Sequence, residues 1–499
     1  MPELIQTVPL GMTVLALLLL AGACSSKLSS VLNVPVLLVF LAIGMAIGTD
    51  GFGFIDFGNA GAANIVGTVA MAFILFSGGY DTRWSSVKKV IGRGALLSTL
   101  GVLMTAVMVG AFCRFALGFS TEWSLLLGAI ISSTDAAAVF AILRSRSVSL
   151  GGKLQPLLEF ESGSNDPMAA FLTLFLTGIA AGSGGSYWMI FPAFLVKMSF
   201  GVLTGIVVGK LAARLFNIID LEYDGLYYVL SIGVVLLTYG GAELLGGNGF
   251  MAVYVAGLVM GNSKFIYQHG VGRFHDGLGW LMQLMLFGML GLLVFPSQLP
   301  GVAFSGMAIS LFLMLVARPA MVFCCLAGSS FTRREKIFTS WVGLRGGAPI
   351  MLATFPLMAG VNESWQLFNI VFFTVLTSVI VQGKTLMPLA KLLKLDRPLR
   401  VRPRVPLEFE NTGTIDGDMV EFEVSADSPF IGKSIAELGL PAGALILLIR
   451  RGRRFDVPTG TTRIQPHDGL MILAEPAVLA KAEPVLAGGT RRSDGGEGV

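Results

Sequence analysis

The chain has 499 residues, of which 54% are hydrophobic and only 13% are charged, and its formal net charge is +4. A soluble domain carries roughly 25% charged residues. This composition therefore excludes an ordinary soluble protein and predicts one that lies in a lipid bilayer. Glycine is abundant, with 63 residues, as is typical of helices that pack closely in lipid.

Apolar runs near 20 residues long predict about thirteen membrane helices between Val8 and Leu393. These runs lie near residues 8–24, 30–48, 61–80, 94–118, 122–143, 154–181, 187–216, 225–245, 248–262, 277–296, 302–330, 337–359 and 365–390. The N-terminus lacks the basic region of a signal peptide, so the first run is interpreted as a membrane helix.

The distribution of basic residues predicts the orientation of these helices. If the N-terminus faces outside, nearly all Lys and Arg residues of the loops lie inside, and the outer loops contain Arg114 together with acidic residues. This asymmetry follows the positive-inside rule. We therefore expect a multi-pass protein of the bacterial cytoplasmic (inner) membrane, with its C-terminus in the cytoplasm.

The composition changes after the last apolar run. We predict a membrane domain over residues 1–393, a basic linker over 394–417, a small cytoplasmic α+β domain over 418–488 and a disordered tail over 489–499. The predicted strands of the α+β domain are EFEV, ALILLIR, RGRRFDV and DGLMILA, with a short helix near 433–438 and a terminal helix near 476–486. The arginines around 450–454 are interpreted as a solvated hairpin tip, with an anion site as the alternative.

Cysteine and histidine do not form a metal-ligand pattern. The four cysteines lie in apolar stretches without CxxC or Cys/His spacing, which argues against a disulfide framework or a zinc site. The three histidines (His269, His275 and His467) lie outside the predicted membrane helices. We therefore expect no cofactor and no transition metal, and we expect no nucleic-acid partner.

Ionisable residues deep in the bilayer are costly and are functional candidates. Asp135 lies about 20 Å from the outer start of the fifth helix, and Asp166 lies about 18 Å from the inner start of the sixth, at roughly 1.5 Å per residue. The two carboxylates can therefore meet near the midplane. Asp81, at the inner end of the third helix, is interpreted as a surface charge.

The same depth argument brings Glu161 and Arg318 together in the inner half of the membrane. A buried pair neutralises two charges, either of which alone would be expensive. We interpret this pair as structural.

Two predicted helices carry the pattern of a broken helix. One reads SSTDAAAV around Asp135, and the other reads GLRGGAPI around Arg345, with two glycines and Pro349 in one apolar segment. The two helices are seven apart in order and run in opposite directions. Inverted repeats whose broken helices cross near the midplane, as in many secondary transporters, would explain this arrangement.

The segment ESGSNDP places hard oxygen ligands beside Asp166. Ser162 shares its helix face, Asn165 offers an amide oxygen, and carbonyls are freed near Thr134. Such ligands suit an alkali cation. Burial disfavours the charged form of a carboxylate, so near neutral pH it can hold either a proton or a cation. That competition predicts exchange at Asp166, while Asp135 would hold Asp166 or the unwound backbone, or bind the ion itself.

Four segments, SSTDAAAVFA, ESGSNDP, ARP and GLRGG, resemble the monovalent cation:proton antiporter-1 family of the NhaP type, in its potassium/proton (CvrA-like) branch. The resemblance covers about residues 8–390, and the tail resembles a TrkA-C (RCK C-terminal) domain. It implies an all-α polytopic homodimer that exchanges K⁺, or Na⁺, for protons by alternating access, in cation, pH and volume homeostasis.

The resemblance also implies roles for individual residues. Thr134 and Asp135 correspond to the broken-helix site, Ser162, Asn165 and Asp166 to the ion site, and Arg345 to the arginine of the second broken helix. The pairing of Glu161 with an arginine is likewise implied. The Asn165-Asp166 pair marks electroneutral one-for-one exchange, and the tail would bind a nucleotide or a cyclic dinucleotide.

Two other classes of function remain as alternatives. A potassium channel-like permease gated by the TrkA-C domain is disfavoured because no TVGYG-like filter occurs. An intramembrane hydrolase, suggested by the SGS at Ser162–Ser164, is disfavoured because no histidine is predicted in the membrane. We expect a transporter rather than an enzyme.

Overall fold

The computed structural model describes residues 9, 12–13, 16, 19–20, 36–54, 57–146, 148–182, 186–398, 418–425, 428–452, 454–475, 478–479 and 489–492. The chain divides into two compact units, of which the larger holds most of the helices and the second holds the C-terminal sheet. Most of the predicted first helix over 8–24 and most of the predicted linker lie outside the described residues.

The larger unit consists of helices whose bounds follow the apolar runs of the sequence. In chain order they are α1 (Val36–Ile47), α2 (Ala60–Asp81), α3 (Ile91–Ala116), α4 (Thr121–Ile130), α5 (Ala136–Ser145), α6 (Leu154–Ala180), α7 (Tyr187–Ile218), α8 (Gly225–Leu244), α9 (Gly249–Gly261), α10 (Gln268–Leu293), α11 (Pro296–Cys325), α12 (Arg333–Trp341), α13 (Gly347–Leu352), α14 (Thr354–Met358) and α15 (Ser364–Leu392).

Among the described residues, seven of these helices are long and apolar enough to cross a membrane: α2, α3, α7, α8, α10, α11 and α15. The predicted fold class, a helical membrane protein, is confirmed, whereas the predicted number of thirteen membrane helices is not. Several helices of the predicted set are short or interrupted, and these fall below the length that a single span requires.

The α10 helix begins about nine residues earlier than predicted and corrects one sequence inference. His275 is fully buried on it, with Nε2 2.9 Å from the Ser231 Oγ atom of α8. The rings of Phe73 and Phe76 pack against the imidazole. Histidine is therefore present inside the helical bundle, where the Ser231 hydroxyl pairs with one of its ring nitrogens.

Both predicted helix breaks are present. The chain is non-helical between α4 and α5, where consecutive hydroxyl side chains compete with main-chain hydrogen bonding. It is also non-helical between α12 and α13, where Gly346 and Gly347 disfavour a continuous helix. The two breaks touch each other, because the main-chain N–H of Asp135 donates to the carbonyl of Leu344 over 2.8 Å.

Glycines bring α2 and α9 into backbone contact. A Cβ atom at Gly79 would overlap the carbonyl of Tyr254, and one at Gly257 would overlap the carbonyl of Phe76. Such close approach is how helices associate in lipid, where packing replaces the hydrophobic effect.

The start of the predicted linker is ordered. Strand β1 (Val148–Leu150) pairs antiparallel with β2 (Asp396–Pro398), with Ser149 opposite Arg397. Residues 396–398, which were predicted to belong to the linker because the segment is basic and contains proline, therefore form a strand through main-chain hydrogen bonds to β1.

The second unit contains a five-stranded antiparallel sheet in the order β5-β4-β6-β3-β7. Its strands are β3 (Asp418–Val424), β4 (Leu445–Arg451), β5 (Arg454–Asp456), β6 (Gly469–Ala474) and β7 (Gly489–Arg492). Alternate apolar residues of β3, β4 and β6 form its buried core, and a 3₁₀ turn at Ile435–Leu438 stands where the short helix was predicted.

Strand β7 corrects the prediction of a disordered tail over 489–499. Gly489–Arg492 pairs with β3, with Glu421 opposite Arg492. The free edge of β3 offers main-chain hydrogen-bond partners to residues 489–492, and the amino-acid composition of the tail does not indicate this pairing. The predicted terminal helix near 476–486 lies mostly outside the described residues.

Candidate functional site

The break between α4 and α5 is stabilised by Asp135 acting as the N-cap of α5. Its backbone is extended, and its carboxylate accepts a hydrogen bond from the N–H of Ala138 over 3.1 Å. An N-cap carboxylate also faces the positive end of the helix dipole. Of the roles left open by the sequence, this geometry corresponds to holding the unwound backbone.

Residues of α6 hold the same break from the other side. The Ser162 hydroxyl donates to the Thr134 carbonyl over 3.0 Å and accepts from the N–H of Ala136 over 2.9 Å. The Asn165 amide donates to Thr134 Oγ1 over 2.6 Å. The sequence-predicted residues Thr134, Ser162 and Asn165 are therefore brought together in one hydrogen-bonded group.

Arg345 crosses from the second break to the first. Its guanidinium Nη1 donates to the carbonyl of Ser132 over 2.8 Å and also to that of Ser133, and the residue is only 1% exposed. These carbonyls belong to the non-helical segment that follows α4, where helical N–H groups do not pair with them. One break thus supplies the hydrogen bonds that the other lacks.

The backbone of Arg345 is held by two α15 residues that the sequence analysis missed. The Ser378 hydroxyl accepts from the Arg345 N–H over 3.1 Å and donates to Gln382 Oε1 over 2.5 Å. The Gln382 amide in turn donates to the Trp341 carbonyl over 2.8 Å. A glutamine inside an apolar run was the available sequence signal, because such a group requires partners in lipid.

Glu161 and Arg318 form a buried ion pair, with Arg318 Nη1 2.5 Å from Glu161 Oε1. Both side chains are at most 3% exposed. Arg318 Nη2 also lies 3.4 Å from the carbonyl of Thr339. The pair joins α6 to α11 on the side of α6 away from the cavity, whose lining includes neither residue.

A cavity of about 220 Å³ lies between α2, α9 and α10 on one side and α5, α6 and α13 on the other. Its lining includes Asp135, Thr134, Ser162 and Asp166. Asn165 is not part of this lining and reaches the cavity through its hydrogen bond to Thr134. The cavity therefore brings four of the five predicted ion-site residues into one space.

Three residues of this cavity lining, Asp166, Ser133 and Tyr254, have a buried side-chain oxygen without a hydrogen-bond partner among the described residues, and Asp166 is the acid among them. Its Oδ1 atom is buried and has no hydrogen-bond partner among the described residues, whereas the oxygens of Ser162 and Asp135 Oδ1 are engaged with the backbone. An unpartnered buried carboxylate oxygen is costly unless a proton or a cation compensates it. This atom has the chemistry required to bind either.

The polar end of the cavity was not predicted from the sequence. Asp81, interpreted from the sequence as a surface charge, lines the cavity together with Arg144 and Glu159. The three come from the C-terminal ends of α2 and α5 and the first turns of α6. A charged residue near the end of a predicted helix is common and does not by itself indicate a site. Only the folded structure, in which the ends of three helices meet, identifies these residues as the mouth of the cavity.

Two arginines of the C-terminal unit, Arg450 and Arg451, are paired with acids. Arg450 Nε lies 2.6 Å from Glu421 Oε1, and Arg450 is only 7% exposed. Arg451 Nε lies 3.2 Å from Asp468 Oδ1. The interpretation of a solvated hairpin tip is wrong for Arg450, which is buried against Glu421, whereas Arg451 is half-buried and paired with Asp468. Arg453 lies outside the described residues.

Sequence comparison identifies two matched families. Residues 14–392 match the family described as sodium/hydrogen exchanger, transmembrane, and residues 419–487 match the TrkA-C domain.

Curated relatives match over most of the chain. The chain is 35% identical over 484 residues to a K(+)/H(+) antiporter NhaP of Alkalimonas amylolytica, covering 97% of this chain and 84% of that protein. It is 37% identical over 465 residues to a K(+)/H(+) antiporter NhaP2 of Shewanella baltica, covering 92% of this chain and 80% of that protein.

A solved structure has the same fold. The structure of a sodium proton antiporter from Methanocaldococcus jannaschii at pH 8 matches with a TM-score of 0.67 and 25% identity. The match covers 78% of this chain and 99% of that one.

Proposed function

We propose that this chain, which belongs to the sodium/hydrogen exchanger family, exchanges a cytoplasmic monovalent cation for external protons by alternating access. The proposed cation is K⁺, because the two bacterial relatives named above are K(+)/H(+) antiporters. Na⁺ remains the second candidate, since the oxygen ligands around Asp166 suit either ion.

The observation that carries this proposal is the buried, unpartnered Oδ1 atom of Asp166 in a cavity lined by other oxygen groups. A proton and a cation both neutralise the carboxylate, and the binding of one excludes the other. That mutual exclusion is sufficient to couple the two fluxes. No covalent step and no cofactor is needed, and for this reason we propose a transporter rather than an enzyme.

Asp135 is proposed to keep its charge throughout the cycle. Its carboxylate accepts the N–H of Ala138 at the N-terminus of α5, where the helix dipole interacts favourably with a negative charge. Asp166 is then the residue that changes its occupancy. Because Asn165 contributes an amide rather than a second titrating acid, one proton exchanges for one cation, and the exchange is electroneutral.

The protein is proposed to lie in the bacterial inner membrane as a homodimer, with its N-terminus outside and its C-terminus in the cytoplasm. The basic residues of alternate loops support this orientation. The cavity mouth at Asp81 and Arg144 then faces the cytoplasm. The proposed physiological role is cation, pH and volume homeostasis.

The TrkA-C unit is proposed to regulate exchange by binding a nucleotide or a cyclic dinucleotide. The paired arginines Arg450 and Arg451 do not support an anion site by themselves, because Glu421 and Asp468 already compensate them. A melting-temperature shift of the full-length protein with each nucleotide tests the proposal, and no shift with any of them would contradict it.

The exchange is tested in everted membrane vesicles with a pH-sensitive dye. We expect K⁺ to dissipate a preformed proton gradient, and we expect Asp166→Asn to abolish this response. Parallel additions of Li⁺, Na⁺ and Rb⁺ determine the selectivity. Exchange at the wild-type rate in Asp166→Asn would contradict the assignment.

Asp50→Asn is the matched control. Asp50 lies in the loop after α1, where its carboxylate accepts the N–H of Ser297 over 2.7 Å. An asparagine oxygen can accept the same hydrogen bond. The control therefore repeats the chemical change away from the cavity, and we expect it to exchange normally.

A gated potassium channel is the alternative transporter. A channel would carry current set by the membrane potential, whereas a carrier moves protons opposite to cations at a fixed ratio and saturates. Proteoliposomes clamped at different potentials separate the two. We expect a rate that depends on both ion gradients and, for an electroneutral carrier, not on potential.

A further inference from the structure

The helices around the cavity form two groups, each held together internally. The scaffold group consists of α1, α2 and α7–α10, where glycine contacts such as Gly79 with Tyr254 and Gly205 with Ala252 bring backbones together. The carrier group consists of α3–α6 and α11–α15, joined by hydrogen bonds and by the Glu161–Arg318 pair. The cavity lies between the two groups.

Asn248, at the N-terminus of α9, joins the scaffold group to α6. Its amide Nδ2 donates to the carbonyl of Pro167 over 3.2 Å, while its Oδ1 atom caps α9 by accepting from Met251 over 2.8 Å. The main-chain N–H of Asn248 is itself held by the Lys197 carbonyl of α7 over 2.9 Å. The residue is 3% exposed, and its acceptor directly follows Asp166 in the sequence.

Asn64, near the start of α2, makes a second connection of the same kind. Its amide Nδ2 donates to the Thr354 Oγ1 atom of α14 over 2.9 Å. Thr354 is fully buried, and Asn64 is 7% exposed. A second asparagine amide therefore joins the scaffold group to the carrier group.

Both connections lie at the end of the cavity opposite its charged mouth. On α2, the cavity lining begins at Met71 and ends at Asp81 and Thr82. Asn64 is seven residues before Met71, so it lies roughly 10 Å beyond the end of the cavity that is farther from the mouth. On α6, Glu159 is at the mouth, Asp166 lies within the cavity and Pro167 follows it. The closed end of the cavity is thus crossed by two buried hydrogen bonds.

We propose that the Asn248–Pro167 and Asn64–Thr354 hydrogen bonds are a latch that holds the protein in the state whose cavity opens at Asp81. The inference rests on the proposed alternating access, because opening the other end requires the two groups to separate there. Both bonds break in that movement. Asn248 and Asn64 are thus positioning residues that set the balance between the two states.

The latch is tested with two substitutions that leave the local fold intact. Asn248→Ser keeps a good N-cap residue for α9 but is too short to reach Pro167. Thr354→Val keeps the side-chain shape and removes the Oγ1 acceptor. The loss of one buried hydrogen bond shifts an equilibrium by about fivefold, so we expect each variant to shift the balance by that factor toward the opposite opening.

Asn262→Ser is the matched control. Asn262 lies at the other end of α9, where its amide donates to the Thr82 carbonyl over 2.8 Å and its oxygen accepts from Trp84 over 2.9 Å. Thr82 is the C-cap of α2, and Trp84 begins the short helix Trp84–Val87 that follows it. The control loses hydrogen bonds of the same type without touching Asn248–Pro167 or Asn64–Thr354.

The first measurement is the half-saturating K⁺ concentration on each face, in everted and right-side-out vesicles. Apparent affinity falls with the fraction of the competent state. We expect the value to rise on the cytoplasmic face and fall on the outer face in both latch variants, and to change on neither face in Asn262→Ser. A lower maximal rate, with no change in the ratio of the half-saturating K⁺ concentrations on the two faces, would overturn the proposal, because a purely structural role predicts that result.

The second measurement is amide hydrogen exchange, which does not depend on transport. We expect α13–α14 to lose protection and α5, at the mouth, to gain it in the latch variants. Loss of protection at both ends would indicate loosening and would overturn the proposal. If the wild-type chain carries no K⁺, the proposed function fails, whereas a reciprocal change in protection still supports the latch.

Discussion

The guanidinium of Arg345 donates to the carbonyl of Ser132 over 2.8 Å, although the two residues are 213 positions apart. The side chain at one helix break thereby satisfies the backbone of the other. Because the N–H of Asp135 also donates to Leu344 over 2.8 Å, the breaks form one crossed unit. Either break alone would leave buried main-chain groups without partners.

The crossing leaves no room for a side chain at Gly346. A Cβ atom there would overlap the carboxylate of Asp135, so we expect Gly346→Ala to displace the N-cap of α5 and to reduce exchange by at least about tenfold. Initial exchange rates in everted vesicles, normalised to the amount of protein, measure the effect.

Gly78→Ala is the control for this substitution. Gly78 lines the same cavity, but a Cβ atom there meets nothing within 4 Å. We expect nearly normal exchange. A loss in both variants would mean that the cavity does not tolerate an added methyl group and would contradict a specific role for the crossing.

The capping role of Asp135 predicts a difference between two replacements. Asparagine is as good an N-cap as aspartate, whereas alanine costs about 1 kcal/mol, or roughly fivefold in the population of the capped state. We therefore expect Asp135→Asn to exchange several-fold faster than Asp135→Ala at saturating K⁺. Equal loss in both variants would show that the charge, rather than the cap, is required.

The Glu161–Arg318 pair predicts a strong coupling energy. Removing one partner leaves a buried charge uncompensated, and such losses cost about 3–5 kcal/mol of unfolding free energy. We expect Glu161→Gln and Arg318→Met each to lower the thermal midpoint markedly, and the double variant to recover much of the loss. Additive losses in the double variant would contradict the pairing.

Competition at Asp166 predicts how cation affinity depends on acidity. Since a proton and K⁺ exclude each other, the half-saturating K⁺ concentration should rise as the cytoplasmic pH falls, approaching tenfold per pH unit once most of the carboxylate is protonated. Initial rates at several pH values and K⁺ concentrations measure this dependence. A half-saturating K⁺ concentration that does not change with pH would contradict a shared site.

The membrane fold was predictable because its signals are local in sequence. Apolar runs gave the helices, and the hydroxyl and glycine-proline clusters gave both breaks to within a few residues. The positions of Asp135, Asp166 and Arg345 near these breaks followed from helix rise alone. Strand β7 and the paired arginines of the C-terminal sheet were not predictable, because their partners are distant in sequence.

The sequence by itself therefore determined the membrane class, the helix breaks and the candidate carboxylates, since hydrophobicity and helix propensity act over a few turns. Only the tertiary structure decided that Asp135 caps α5, that Asn165 reaches the cavity through Thr134, and that Asp166 retains an unpartnered oxygen. These outcomes depend on which groups have hydrogen-bond partners in the folded protein, and those partners come from helices that meet only when the chain has folded.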